Sequence, residues 1–241
     1  MEDLYLDLVK RCLTNWIQLG QDYAEFDPEA RAEGRDWPPS GLTMIGLNRL
    51  DNVQACVQDV LANKVPGDFI ETGVWRGGAV IFMRALLKAY HITNRRVWVA
   101  DSFAGVPPPN AKRYPMDAGM RYDLYPQLAV PMEEVQRNFA RYGLLDDQVR
   151  FLPGWFRDSL PSAPIETLSL LRLDGDLYES TMDALVHLYP KLSVGGYIII
   201  DDYGGVDACR QAVHDYRTSH GITEDIREID WTGVYWQRVN S

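Results

Sequence analysis

Asp68-Phe69-Ile70-Glu71-Thr72-Gly73-Val74-Trp75-Arg76-Gly77-Gly78 is the stretch that decides the fold. Asp68 to Glu71 reads as a short buried strand. Gly73 to Gly78 reads as a turn, because glycine lets a backbone bend sharply and lets a ligand approach it. Ala79 to Tyr90 then reads as a helix, with Ile81, Phe82, Leu86 and Leu87 apolar. A strand, a glycine turn and a helix in that order aim helix N-terminal N–H groups at whatever sits in the turn. In open α/β sheets ligands lie at the carboxyl ends of the strands, so the turn is a candidate binding site. Its G-x-x-x-G-G spacing differs from the G-x-G-x-x-G of dinucleotide enzymes. Glu71 opens the turn with a negative charge, which repels a pyrophosphate and suits the ammonium of a cationic, amino-acid-like cofactor.

The rest of the chain repeats the alternation. Further strands are expected over 96–100, 149–152, 168–173 and 196–200, with helices near 133–141, 156–160, 179–189 and 206–219. Strands alternating with helices indicate βαβ units and a mostly parallel sheet. These strands are continuous and apolar, as burial on both faces requires. Two strand-like runs, near 224–229 and 233–239, are joined by the tight link Asp230-Trp231-Thr232 and should pair antiparallel at one end of the sheet. Before the first strand, a helix over 3–18 places Tyr5, Val9, Cys12, Leu13 and Trp16 on one face. A second over 46–63 turns Leu47, Leu50, Val53, Val57, Val60 and Leu61 inward. Residues 19–41 connect them. Residues 104–131 are irregular and carry six prolines, a length typical of active-site covers. The expected organisation is an N-terminal helical extension, 1–65, and an α/β core, 66–241, with a lid insertion at 104–131.

Bulk properties exclude several classes. The chain has 241 residues, of which 46% are hydrophobic and 24% charged, and a net charge of −10. A field of that sign repels nucleic acid and anionic lipid but not a cationic cofactor or a divalent metal. Cys12, Cys56 and Cys209 are odd in number and far apart, which argues against a disulfide framework and fits a reducing cytosol. The first residues carry no signal-peptide pattern and no apolar run of membrane-spanning length occurs, so a cytoplasmic protein without a membrane partner is expected. The apolar positions of the first 20 residues lead us to expect a homo-oligomer.

The chemistry is written after the strands. Asp101 ends the second strand, where an acid can accept hydrogen bonds from ribose hydroxyls. Asp174-Gly175-Asp176 follows the fourth strand and Asp201-Asp202 the fifth. Parallel strands joined by one helix usually lie side by side, so both acid pairs should meet at one sheet edge. Four carboxylates together repel unless a cation neutralises them or some bind protons. Hard oxygen ligands favour Mg²⁺, with Ca²⁺ or Mn²⁺ also possible. Such a metal can lower the pKa of a bound hydroxyl, and a free carboxylate can take its proton. A single Asp at a strand end would read as a turn or helix cap; four at two neighbouring ends do not.

These motifs resemble the macrocin O-methyltransferase family, whose members act on sugars of macrolide and aminocoumarin antibiotics. The resemblance rests on Thr43-Met44-Ile45-Gly46, Glu71 to Gly78, Val97 to Phe103, Gln136-Arg137-Asn138-Phe139 and Arg141 to Val149. It continues through Leu152-Pro153-Gly154-Trp155-Phe156, Asp174-Gly175-Asp176, Gly195 to Tyr203 and Gly233-Val234-Tyr235-Trp236. It spans about residues 4 to 238 and is specific for the family rather than for a substrate. It implies a class I methyltransferase fold, S-adenosylmethionine, Mg²⁺ and a small-molecule acceptor, glycosylated, with a deoxysugar hydroxyl as target. Carried over, Glu71, Thr72, Gly73, Val74, Gly77 and Gly78 hold the methionine part of the donor. Asp101, with Ser102 and Phe103, takes the ribose. Gly154, Trp155 and Phe156 lie by the adenine, and Thr43 and Met44 cover the cofactor. Asp174, Asp201 and Asp202 resemble the metal ligands, Asp174 also bordering the donor. Asp176 resembles the general base, with Asp174 the alternative. The chain departs from the family pattern mainly in 18–41 and 104–131, where an acceptor would be recognised, so a phenolic or aglycone hydroxyl is the second possibility. A nucleotide-dependent oxidoreductase lacks its glycine pattern here, a metal-dependent hydrolase would leave the glycine turn without a role, and a silent binding protein would have no use for all four acids.

Overall fold

The computed structural model describes residues 2–18 and 26–240. Part of the expected connecting segment, 19–25, therefore lies outside the described residues. Among those described, seven strands form one sheet in the order β3-β2-β1-β4-β5-β7-β6. They are β1 (Asp68–Thr72), β2 (Val97–Asp101), β3 (Val149–Pro153), β4 (Leu168–Leu173), β5 (Leu192–Ile200), β6 (Arg227–Glu228) and β7 (Val234–Gln237). The first five run parallel, and β7 pairs antiparallel with both β5 and β6. The parallel sheet and the terminal antiparallel pair follow the sequence expectation.

Helices cover both faces. On one side lie α1 (Glu2–Leu13), α3 (Leu47–Ala62), α4 (Gly78–Ala89) and α5 (Met132–Arg141). Their apolar faces meet Phe69, Val97, Val99, Leu170 and Ile199 of the strands in one core. On the other side α7 (Tyr178–Leu188) and α8 (Asp207–Ser219) pack with Ile70, Leu171, Leu173, Ile198 and Trp236. Residues 70 and 71, or 171 and 172, point to opposite faces because side chains alternate along a strand. The short α2 (Pro28–Glu33) and α6 (Phe156–Ser159) complete the helices.

Several boundaries differ from the sequence reading: the run expected near 224–229 pairs only at Arg227–Glu228, and two others differ for reasons visible in the structure. The first helix stops at Leu13 rather than running to 18, and Cys12 faces solvent instead of the core. Asn15 adopts a left-handed φ of 55°, which ends the helical path. The carbonyls just beyond that end are taken up by the buried Arg31 of α2, whose Nη1 donates to Thr14 O at 2.9 Å and Asn15 O at 3.1 Å. The strand expected over 196–200 begins at Leu192, because Gly195 and Gly196 already exchange backbone hydrogen bonds with Arg238.

The strand order reverses direction between β1 and β4, the two strands at the centre. Crossovers on either side of that point leave on opposite faces, and a crevice opens at the carboxyl ends. Residues 104–131 lie over this crevice. They are not wholly irregular: three single 3₁₀ turns, Pro115–Asp117, Tyr122–Leu124 and Pro126–Leu128, give the segment its shape.

Candidate active site

A cavity of about 350 Å³ occupies the crevice. Hydrogen bonding between strands continues past their ends and fixes its floor. Gly73 N donates to Ala100 O, Asp174 N to Thr72 O and Asp201 N to Leu173 O, each at 2.9 Å. Gly73 has a φ of 83°, and a Cβ there would run into the carbonyl oxygen of Asp174, so only glycine lets the β1 turn lie this close to β4. Asp176 holds a φ of 55° without being glycine. That strained conformation, uncommon for such a residue, aims its N–H at Asp202 Oδ2, 2.9 Å away.

Most residues singled out in the sequence line this cavity. From the first turn and the preceding segment come Thr43, Met44, Glu71, Gly73 and Val74. From the ends of β2 and β3 come Asp101, Ser102, Trp155 and Phe156. Asp174, Asp176, Asp201 and Asp202 complete the opposite wall. Thr72, Gly77, Gly78, Phe103 and Gly154 are not on the cavity surface. Gly78 instead seats the cover segment, donating its N–H to Leu42 O at 2.9 Å where a side chain would collide. Phe103 packs on Phe151, with ring centroids 6.1 Å apart. Gly154 donates to Asp101 O at 2.9 Å, holding the ends of β2 and β3 together.

Asp101 organises the loops around it. Its Oδ2 accepts from Val74 N at 2.7 Å and its Oδ1 from Phe103 N at 2.7 Å. Longer bonds of 3.4 Å reach Oδ2 from Trp75 N and Oδ1 from Ser102 Oγ.

The acids meet as the strand adjacency requires. One oxygen from each of Asp174, Asp201 and Asp202 falls within 4.8 Å of the others. What the sequence reading missed is the cation beneath them. Arg172 lies opposite Glu71 in the β1–β4 register and opposite Ile199 in the β4–β5 register. All three face the same side of the sheet. The guanidinium is fully buried and bonds Glu71 Oε1, Asp174 Oδ2 and Asp201 Oδ1. A second buried arginine, Arg49 of α3, donates from Nη1 to Asp201 Oδ2 at 2.6 Å and from Nε to Asp230 Oδ2 at 2.9 Å. The link between β6 and β7 closes this arrangement, since Thr232 Oγ1 donates to Asp201 O at 2.9 Å. An arginine inside an otherwise apolar strand, Leu170-Leu171-Arg172-Leu173, was a signal in the sequence. Arg49 sits on an ordinary amphipathic helix, and only the tertiary fold brings it here.

The electrostatics follow. Burial alone would raise Asp201, but the Arg172 and Arg49 guanidiniums outweigh it and hold its carboxyl below the usual carboxylate range. Asp174 and Asp202 go the other way, pushed well up by burial and then by neighbouring carboxylates. Asp176 rises to about 6 through burial and the Asp201 charge, and Glu71 to about 7, mainly through burial. Two guanidiniums thus face Glu71, Asp174, Asp176, Asp201, Asp202 and Asp230, and the site is short of positive charge. Oxygen-only donors with a charge deficit are the chemistry that a hard divalent cation fits.

Residues 104–131 are held to the rest of the chain at several points, among them Asp117 and Gln127. The buried Asp117 accepts N–H bonds from Tyr178 at 2.6 Å and Glu179 at 3.1 Å, capping α7, whose own N-cap residue Leu177 has no side-chain oxygen. Trp75 Nε1 donates to Gln127 O at 2.8 Å. Between these points Tyr122 reaches the cavity wall, where the charges of Asp176 and Asp202 add to burial in raising its hydroxyl pKa.

Comparison with known proteins adds the chemistry. The profile of the macrocin-O-methyltransferase (TylF) family matches residues 3–238. The chain is 59% identical over 244 residues to the 8-demethyl-8-(2,3-dimethoxy-alpha-L-rhamnosyl)-tetracenomycin-C 4'-O-methyltransferase of Streptomyces olivaceus, covering 98% of this chain and 93% of that protein. It is 54% identical to the mycinamicin III 3''-O-methyltransferase of Micromonospora griseorubida, with 98% and 96% covered. Among solved structures, the O-methyltransferase NovP superposes with a TM-score of 0.92 at 51% identity, and both chains are covered completely.

Proposed function

The chain belongs to the macrocin-O-methyltransferase family and is an O-methyltransferase with the class I fold, and from that membership we propose that it moves the methyl group of S-adenosylmethionine to a deoxysugar hydroxyl of a glycosylated natural product, with Mg²⁺ held by Asp174, Asp201 and Asp202. The observation that carries this reading is the convergence of those three carboxylates within 4.8 Å, in the wall of the cavity that Glu71 and Asp101 also line. The sugar acceptor is supported by the names of the relatives, one a rhamnosyl 4'-O-methyltransferase and one acting at a 3'' position.

The residues divide the work. Glu71 keeps its Oε2 buried and without a partner, an arrangement that suits the ammonium of the donor. Asp101, held by short bonds from Val74 and Phe103 N–H, takes the ribose hydroxyls in place of its two longer bonds from Trp75 and Ser102. Trp155 and Phe156 give an aromatic wall for the adenine, and Thr43 and Met44 cover the donor. Arg172 and Arg49 keep Asp201 ionised and orient it, so that a cation meets preformed oxygens. When bound, Mg²⁺ supplies Lewis acidity toward an acceptor hydroxyl. Asp176 takes the hydroxyl proton on its carboxylate, and a value of about 6 suits a base working near neutral pH. The lid residues Tyr122 and Leu128 exclude water from above. Alignment of the acceptor with the methyl group is then a matter of positioning.

Calorimetry tests the assembly before any acceptor is known. S-adenosylhomocysteine should bind the protein, and Mn²⁺ in place of Mg²⁺ should bind with about one site per chain by electron paramagnetic resonance. Loss of the Mn²⁺ signal in Asp174→Ala and Asp202→Ala is the expected result. Unchanged Mn²⁺ binding in both variants would remove the metal assignment.

A further inference from the structure

One wall of the cavity is left unused by the chemistry above. Glu179, in the first turn of α7, lines the cavity and is only 5% exposed. Its Oε1 lies 3.5 Å from Nη1 of Arg157, and its Oε2 is buried with no hydrogen-bond partner. The carboxylate is thus short of donors, and a ligand in the cavity can supply one to its cavity-facing side. The backbone of Glu179 is itself fixed by the bond from its N–H to Asp117. The acid is therefore held in place rather than swinging free.

Its neighbours say what kind of donor fits. Arg157 directly follows Phe156, and the Phe156 ring meets Gly175 and Ser180 at one spot. A Cβ on Gly175 would come within 3.5 Å of Phe156 Cε2 and 3.2 Å of Ser180 Cβ. The absence of a side chain at Gly175 lets the Phe156 ring and Ser180 pack close to its backbone. An aromatic wall ending in an acceptor-only carboxylate matches a planar heterocycle with an N–H on its edge. Asp183, one turn further along α7, also lines the cavity and adds a second acid to this corner. A 6-oxo group would bring the Glu179 carboxylate a second acceptor in place of a donor.

Resting on the reading that the donor is S-adenosylmethionine, we propose that Glu179 is a specificity-determining residue of the donor subsite: its carboxylate, at the cavity wall, accepts the 6-amino N–H of adenine, and it thereby selects the amino purine against its 6-oxo counterpart.

The test compares S-adenosylhomocysteine with S-inosylhomocysteine, its deaminated analogue, by calorimetry on the intact protein. Wild type should bind the 6-oxo compound about 10- to 100-fold more weakly, the range expected when a buried acceptor loses its donor and meets a lone pair. In Glu179→Gln, whose amide can donate, the gap should close or invert. Should that variant fail to fold, Glu179→Asp keeps the charge and withdraws the oxygen by one methylene. It should lose affinity for S-adenosylhomocysteine while leaving the analogue unaffected. Equal binding of the two compounds by wild type, or a gap that survives both substitutions, overturns the inference. A rise in acceptor KM in Glu179→Gln with unchanged S-adenosylhomocysteine affinity would assign the residue to the acceptor and also overturn it. If wild type binds neither compound, the donor reading itself fails, which is a different result.

Discussion

Arg172 reaches three carboxylates from the middle of a parallel sheet, a place where an unpaired charge is not tolerated. Replacing one partner of a buried ion cluster typically costs about 3–5 kcal/mol, because the remaining charges stay buried. Arg172→Met should lower stability by about that much in urea unfolding, and Arg172→Lys by less, since an ammonium keeps the charge but cannot bridge in fixed directions. Asp176→Asn should behave differently. It removes the proton acceptor and should cut turnover by about 10²- to 10⁴-fold while donor and Mn²⁺ binding persist, which paired kinetic and calorimetric measurements would reveal. Much of this site was legible in the sequence, because chemistry-bearing acids at strand ends are local features: Glu71, Asp101, Asp174 and Asp201 could be placed from strand order alone. Arg49 and Asp230 could not. They lie 181 residues apart and meet only through the fold.

At the scale of elements, the lid and α7 form one unit. Asp117, 61 residues before Tyr178, supplies the cap that Leu177 lacks. Asp117→Ala should destabilise this junction by about 1–2 kcal/mol. Proteolysis within 104–131 and amide exchange at Tyr178 and Glu179 should both accelerate, while exchange in β1 and β4 stays slow. On the same helix, burial and the Glu179 charge push Asp183 up to about 6 from an ordinary 3.8. The folded state therefore holds this proton more tightly than the unfolded chain. Its ionisation is a penalty that is absent below 3.8, grows as pH rises, and is complete above about 6. Asp183→Asn should raise the melting temperature at pH 8, with the gain shrinking toward pH 4. The periodic patterns revealed which elements exist but not where they end. The first helix stops at Leu13, where Leu42 N–H takes the Leu13 carbonyl and Arg31 takes those of Thr14 and Asn15 just beyond, both donors distant in sequence. The capping role of Asp117 was hidden in the same way, inside a segment whose prolines announce turns but not what those turns hold.

For the whole molecule, the strand order sets the site. The sheet turns back on itself between β1 and β4, and Glu71 and Asp101, the Arg172 bridge and the carboxylates of Asp174, Asp201 and Asp202 all lie at the carboxyl ends around that point. The alternation of apolar strands and helices carried this architecture in the sequence, and the short link after Glu228 carried the antiparallel end. Residues 104–131, which add Gly105, Val106, Pro107, Tyr122 and Leu128 to the cavity wall, are the part of the chain with the least periodic pattern. The central claim is that the cluster at Asp174, Asp201 and Asp202 makes hydroxyl methylation depend on a divalent cation. The most direct measurement is transfer of labelled methyl from S-adenosylmethionine to a panel of glycosylated acceptors, by enzyme stripped with EDTA and then titrated with Mg²⁺. The account predicts no transfer by the stripped enzyme and saturable recovery with Mg²⁺ on at least one sugar-bearing acceptor. Full transfer by the stripped enzyme would contradict it.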